Sequence, residues 1–336
     1  MLKSLQKAFK VKEVRDRLLY TFMMLVVIRI GCCLPIPGVD PSYLHDFFSN
    51  LQNSGMGFFN AITGGSFSSM SIFALSITPY ITSSIIMQLL TIAIPKLEEM
   101  QKDGEDGRKK IAEYTRYLTV GLALFESCAM AVGLGGKGLL LEDHRNIWGY
   151  LTVVAAMTAG SALLMWIGER ITDNGVGNGI SIVLLINIVS GTPQDMMTLY
   201  ERFMAGRSVA VATVSGIIVL AIIVAIVVFV LVLNDAERRI PVQYSKKMQG
   251  RRMIGGQSTY IPLKVNTANV IPVIFASSFM SMPVMIAQFF HVDYSTIGGK
   301  ILLALSSSNW FKPEAPAYSI GMLVYIVLVV LFAYFY

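Results

Sequence analysis

Histidine and cysteine are scarce in this chain, with three of each among 336 residues. His45, His144 and His291 lie far apart in outer loops or at a helix edge, and no HExxH pattern joins any of them. No GxxxxGK[ST] loop and no carboxylate pair in facing apolar stretches is present, so hydrolytic, phosphoryl-transfer and metal chemistry have no constellation to rest on. Cys32, Cys33 and Cys128 fall inside apolar runs and form neither a disulfide framework nor a metal-ligand spacing. The reading is a protein without cofactor, metal site or catalytic residues, and not an enzyme. Gly135-Gly136-Lys137-Gly138 lacks the rest of a phosphate loop and reads as a turn. With no energy source of its own, the chain must be driven by a partner or a gradient. Charge is thin as well: 14% of residues are charged against 54% hydrophobic, with a mean hydropathy of +0.61, which excludes an ordinary soluble domain.

Long apolar stretches fill the space that charge leaves. They run over 18–34, 70–90, 118–134, 147–167, 179–189, 209–233, 268–290 and 317–336. A bilayer core of about 30 Å takes roughly 20 apolar residues of helix, and seven of the eight fit with some tilt. The stretch at 179–189 is short and is extended by 190–192. Such runs do not alternate as barrel strands do, so the fold class is an all-α membrane protein, a polytopic helical bundle. Twenty of the 27 lysines and arginines lie in 1–17, 96–116, 168–178 and 234–266, six lie on the opposite side, and Arg29 lies within the first span. The positive-inside rule therefore sets the N-terminus in the cytoplasm, with eight alternating segments. Trp148 and Trp310 fall at outer edges and Trp166 at an inner one. The first run is followed by Pro35-Ile36-Pro37-Gly38, not by a small-x-small cleavage site, and reads as a retained span. Residues 1–17, with Leu2, Leu5 and Phe9 at helical spacing and a net charge of +4, read as an amphipathic helix on the cytoplasmic surface.

Three features depart from plain spans. Residues 55–63 make two turns of helix that stop at Gly64-Gly65, and Ser66, Ser68 and Ser69 are suited to cap a helix that resumes at Met70. Such a segment is either a re-entrant surface helix or one that dips into a cavity. Arg29 and Glu126 place charges in the first and third spans. Intramembrane charges are functional suspects: the two could pair or line a wet cavity, or Arg29 could reach the outer headgroups. Finally, Ile77-Thr78-Pro79-Tyr80-Ile81 matches Val270-Ile271-Pro272-Val273-Ile274, each followed by two serines, in spans of opposite direction. That is the signature of inverted-topology repeats. On these features alone, a secondary transporter with broken helices at a midplane site is one reading. In the cytoplasm, 234–266 carries a net charge of +5 with three basic pairs and suits a docking arm for an acidic or RNA surface. The 96–116 loop balances six basic against six acidic residues and suits a folded tip.

Motifs in order along the chain resemble the SecY/Sec61-alpha family of protein-conducting channels. They are PIPG at 35–38, SIFALSITPYI at 71–81, GEDGRKK at 104–110, YTRY at 114–117, GERITDNGVGNGIS at 168–181, QGRR at 249–252 and PLKVN at 262–266. The resemblance implies ten spans in two inverted halves, here a first half over 18–192 and an incomplete second half over 193–336 that stops in the eighth span. It implies a pore-forming subunit of the Sec translocase in the bacterial cytoplasmic membrane, which passes unfolded polypeptides across and releases membrane segments sideways into lipid. Residues 56–67, including Met56, Phe58, Phe59, Asn60, Ile62, Gly64 and Gly65, would be the plug. Ile77, Ile81, Leu184 and Ile274 would form the pore ring. Ser83, Ser84, Ile85, Ser277 and Ser278 would border the lateral gate that binds signal sequences. Arg238, Arg239, Lys246, Lys247, Arg251 and Arg252, assisted by Arg108, Lys109 and Lys110, would dock the SecA motor or a translating ribosome. SecE would clamp the halves, with SecG beside it.

Overall fold

The computed structural model describes residues 11–40, 43, 63–141, 145–242, 247–249, 252–254, 259–268, 270–289, 296–306, 309–310 and 316–336. The three histidines, Met56–Ile62 of the expected plug, Lys246 and Arg251 lie outside the described residues. The helices are α1 (Lys12–Cys33), α2 (Thr78–Ala93), α3 (Pro95–Lys102), α4 (Glu105–Leu134), α5 (Ile147–Asn174), α6 (Gly179–Phe203), α7 (Val209–Asp235), α8 (Ile271–Phe289), α9 (Ile297–Leu305) and α10 (Ile320–Phe335). Among the described residues α5, α6, α7 and the Pro316–Phe335 segment are each long and apolar enough to cross a bilayer. α2 and α3 make a further candidate bent by 101°. The bend has a local cause: Pro95 opens α3, and Ile94 before it is extended at φ −111°, ψ 111°, as residues preceding proline prefer. The other apolar runs lie in α1, α4 and α8.

Two compact units are present, Met1–Pro193 with Phe275–Val327, and Gln194–Ile274 with Leu328–Tyr336. The core of the first unit gathers around the segment that leads into α2. Phe67, Met70, Ala74 and Leu75 pack against Ile36 and Val39 after α1, against Ala123 and Met130 of α4, and against Val153 and Met157 of α5. Lipid is as apolar as these side chains, so close packing does more here than exclusion from water. Gly160 of α5 shows how close: a Cβ there would lie 2.0 Å from the Ile72 carbonyl oxygen. Backbone bonds tie the same segment to the end of α1, with Ile36 N donating to Met70 O at 3.0 Å and Ile72 N to Leu34 O at 3.0 Å.

In the second unit α7 is 27 residues of almost pure aliphatic sequence with none of its residues buried. Beyond it the basic loop forms antiparallel ribbons: β1 (Glu237–Val242) pairs with β4 (Thr259–Lys264), and β2 (Lys247–Gln249) with β3 (Arg252–Ile254). The sheet is a minor addition to a helical protein.

Three local expectations need correction. No helix begins at Met70: residues 63–77 are successive turns and α2 starts at Thr78, with Pro79 in its first turn, where a missing N–H costs nothing. Lys12–Arg17, the end of the expected surface helix over 1–17, belong to the opening of α1, and residues 1–10 of that helix lie outside the described residues. The stretch at 193–203, expected in the outer loop between the fifth and sixth spans, continues α6 through Pro193.

Candidate functional site

Residues 63–77 hold non-helical backbone in the midst of a helical membrane protein, which is tolerated only where protein or water surrounds it. Gly64 (φ +66°) and Gly65 (φ +81°) turn left-handed, as glycine does at no steric cost. Met70 (φ +40°) and Ser76 (φ +53°) do so without that freedom, and such strain persists only where the surroundings enforce it. The serines are not helix caps. Ser66 donates its hydroxyl to the carbonyls of Thr63 and Phe73, Ser68 to Gly65 O at 2.8 Å, and Ser69 to Gly65 O at 3.1 Å. They satisfy carbonyls that a helix would have satisfied for itself.

The charge in the first span is accounted for here. Arg29 Nη1 donates to the Gly64 carbonyl oxygen at 3.1 Å, so α1 holds the glycine turn through a guanidinium. Glu126 behaves differently: its Oε2 is buried and accepts a hydrogen bond from no group among the described residues. On the other side of the turn lies α6, where a Cβ on Gly64 would sit 2.9 Å from both Asn187 O and Ser190 Oγ. No larger residue fits there without moving α6.

Of the expected pore residues, Ile77 immediately precedes α2 and Ile81 lies one turn on, its N–H donating to Ile77 O at 3.1 Å. They are therefore stacked on one face. Both are buried, and Leu184 of α6 is half-buried. Ile274 stands in the first turn of α8, half-buried, in the second unit. Ser83 is buried and bonds within α2, to Pro79 O at 2.7 Å. Ser84 and Ile85 are half-buried. Ser277 Oγ lies 3.4 Å from the Tyr325 hydroxyl of α10, and Ser278 is half-buried.

The elements expected in the cytoplasm carry exposed basic side chains. Arg238 and Arg239 are exposed on β1, and the Arg239 guanidinium lies 4.8 Å from the centre of the Tyr260 ring on β4. Lys247 and Arg252 belong to β2 and β3. The expected folded tip is the α3–α4 turn, where Gly104 takes φ +79° and a Cβ on Gly107 would meet Met100 O at 1.7 Å. Arg108, Lys109 and Lys110 are exposed in the opening turns of α4. Arg116 donates Nε to Glu169 Oε1 of α5 at 2.7 Å, and that bond holds its guanidinium above its ordinary pKa.

One motif has a structural explanation that sequence reasoning missed. In GVGNG at 175–179, Asn178 Oδ1 caps α6, accepting from Ile180 N at 3.0 Å. Gly177 takes φ +74°, and a Cβ on Gly179 would lie 1.8 Å from the Gly168 carbonyl. The N-cap residue type before an apolar run was the available signal.

The candidate spans and the break before α2 define a polytopic helical membrane fold. Over 94% of this chain and 71% of the other, a structure titled "The structure of a protein conducting channel" superposes with a TM-score of 0.59 at 20% identity. Sec61 from a canine ribosome-channel complex does so with a TM-score of 0.58 at 20% identity, over 95% of this chain and 71% of the other. The SecY family model matches residues 71–336. The protein translocase subunit SecY of Streptomyces scabiei is 44% identical over the whole chain and 76% of its own length, and that of Halalkalibacterium halodurans 40% over the same shares. The chain belongs to the SecY family.

Proposed function

We propose that this chain is the pore-forming subunit of a Sec translocase, passing unfolded secretory polypeptides across the membrane and releasing membrane segments sideways into lipid. The observation that carries this reading is the largely buried run from Gly64 to Ile77, which joins a glycine turn directly to a helix whose first face is Ile77 and Ile81. A glycine turn is where a stopper can pivot, and the residues before it, Met56 to Ile62 with Phe58, Phe59 and Asn60, are assigned as that stopper. Ile77, Ile81, Leu184 and Ile274 are assigned as the collar. Aliphatic side chains in a narrow ring keep it dry to ions while offering a passing chain no specific bond.

The lateral gate lies along α2 and α8, where Ser83, Ser84, Ile85, Ser277 and Ser278 meet a signal sequence. Arg238, Arg239, Lys246, Lys247, Arg251 and Arg252, with Arg108, Lys109 and Lys110, receive a SecA-type motor or a ribosome, whose basic-surface recognition favours acidic protein or RNA phosphate. SecE clamps the assembly and SecG joins it. The setting is the bacterial cytoplasmic membrane with the N-terminus inside. Push comes from the motor or from chain elongation. The transporter alternative finds no support among the relatives, which are translocase subunits.

Site-specific crosslinking of a stalled secretory chain to positions 81 and 274, in complex with SecE, tests the collar. Crosslinks at both are expected, and their absence during active translocation would refute it. Removing residues 57–67 tests the stopper, with a rise in resting ion conductance across a planar bilayer as the expected result.

A further inference from the structure

One turn of α6 touches both ends of the non-helical run. At the near end, Gly64 packs so tightly on it that a Cβ would lie 2.9 Å from Asn187 O and from Ser190 Oγ. At the far end, Asn187 Nδ2 donates to Ser76 Oγ at 2.9 Å, at a serine held at φ +53°. Ser161 of α5 adds a bond to the Ser76 carbonyl at 3.3 Å, and Ser190 Oγ closes the turn on Asn187 O at 2.7 Å. Arg29 holds Gly64 from the α1 side. We infer that Asn187 and Ser76 form a clasp that positions the stopper's pivot and the first turn of the pore helix as one piece, and so sets the resting seal of the channel. This rests on the assignment of the stopper and collar above.

The clasp is built to release. Asn187 Oδ1 and Thr78 Oγ1 are buried and bond to no group among the described residues, although each could accept a bond. A buried polar atom without a bond raises the energy of the state that buries it. Parting of α6 from the run would let water reach Asn187 Oδ1, so opening recovers part of what breaking the Asn187–Ser76 bond costs. A fully satisfied network would lock the run instead. The two side chains are 111 positions apart in sequence yet face each other across a buried contact, which makes the pair separable from the rest of α6 by mutation.

The test is resting ion conductance of the assembled translocase in planar bilayers. Asn187→Ala and Ser76→Gly are each expected to raise it about fivefold, the factor that one buried hydrogen bond contributes to a two-state ratio. Glycine at position 76 relieves the positive φ while deleting the hydroxyl, so a leak there reports the bond and not the strain. The double variant should leak no more than either single one. Val183→Ala, one turn away on the buried face of α6, removes packing alone and should stay silent. Deletion of 57–67 serves as the reference for the stopper itself. A leaking deletion with silent Asn187→Ala and Ser76→Gly overturns the clasp and leaves the stopper standing; a silent deletion overturns both. Additive effects in the double variant, or a Val183→Ala leak of equal size, also overturn the clasp.

Discussion

Residues 63–77 and helix α7 solve the same problem in opposite ways. Backbone polar groups cannot be left bare in lipid. α7 satisfies its own by 27 residues of unbroken helix and has no buried residue. The run at 63–77 cannot satisfy its own and borrows: from serine hydroxyls, from Arg29, and from the strand-like bonds to Leu34 and Ile36. It is correspondingly packed among Ile36, Met130, Val153 and Met157. Self-sufficient backbone tolerates change but cannot switch. Borrowed bonds can be given back.

The contrast can be broken most sharply at Gly64. Gly64→Val combines a left-handed φ with crowding against Asn187 and Ser190, and a loss of about 4 kcal/mol is expected, roughly 1–2 from strain and 1–3 from overpacking. It should appear as a lower melting temperature of the purified complex. Val224→Asp in α7 should cost about 3 kcal/mol in a membrane-insertion assay, because lipid offers that carboxylate no partner. If the aspartate inserts as well as valine, α7 does not face lipid. Gly65→Ala isolates strain from crowding, since nothing lies within 4 Å of a Cβ there, and about 1 kcal/mol of melting stability should go. Val224→Ala should change stability by less than about 0.5 kcal/mol, the usual size for a surface position. A loss at Val224 matching that at Gly65 would erase the distinction between the two regions.

Sequence patterning shows the eight apolar runs, because hydropathy is a property of each residue summed along a helix. The break at Gly64-Gly65 is legible for the same reason, as glycine's preference is local. Which groups meet across the break is not local. Ser66, Ser68 and Ser69 have the composition of helix caps, but capping depends on where the next helix starts, and the core around Phe67 and Met70 delays it to Thr78. Asn187 is not legible, because an asparagine in a short apolar run carries no sequence mark of its partner at Ser76. Arg29 could be listed among suspects, yet its acceptor is a backbone carbonyl, which every residue carries. The ribbon at 237–264 was hidden by its charge: basic pairs read as an arm, while the alternation that makes β1 a strand is interrupted by Pro241.

At about 1.5 Å per residue, the 27 residues of α7 measure roughly 40 Å, some 10 Å more than a hydrocarbon core of about 30 Å. The surplus has to be absorbed by tilt, by local thickening of the bilayer or by protrusion. α7 leads directly into the basic ribbon through Ala236, whose carbonyl accepts from Val265 N at 3.0 Å. Bilayer thickness therefore bears on how far from the membrane surface the basic ribbon begins.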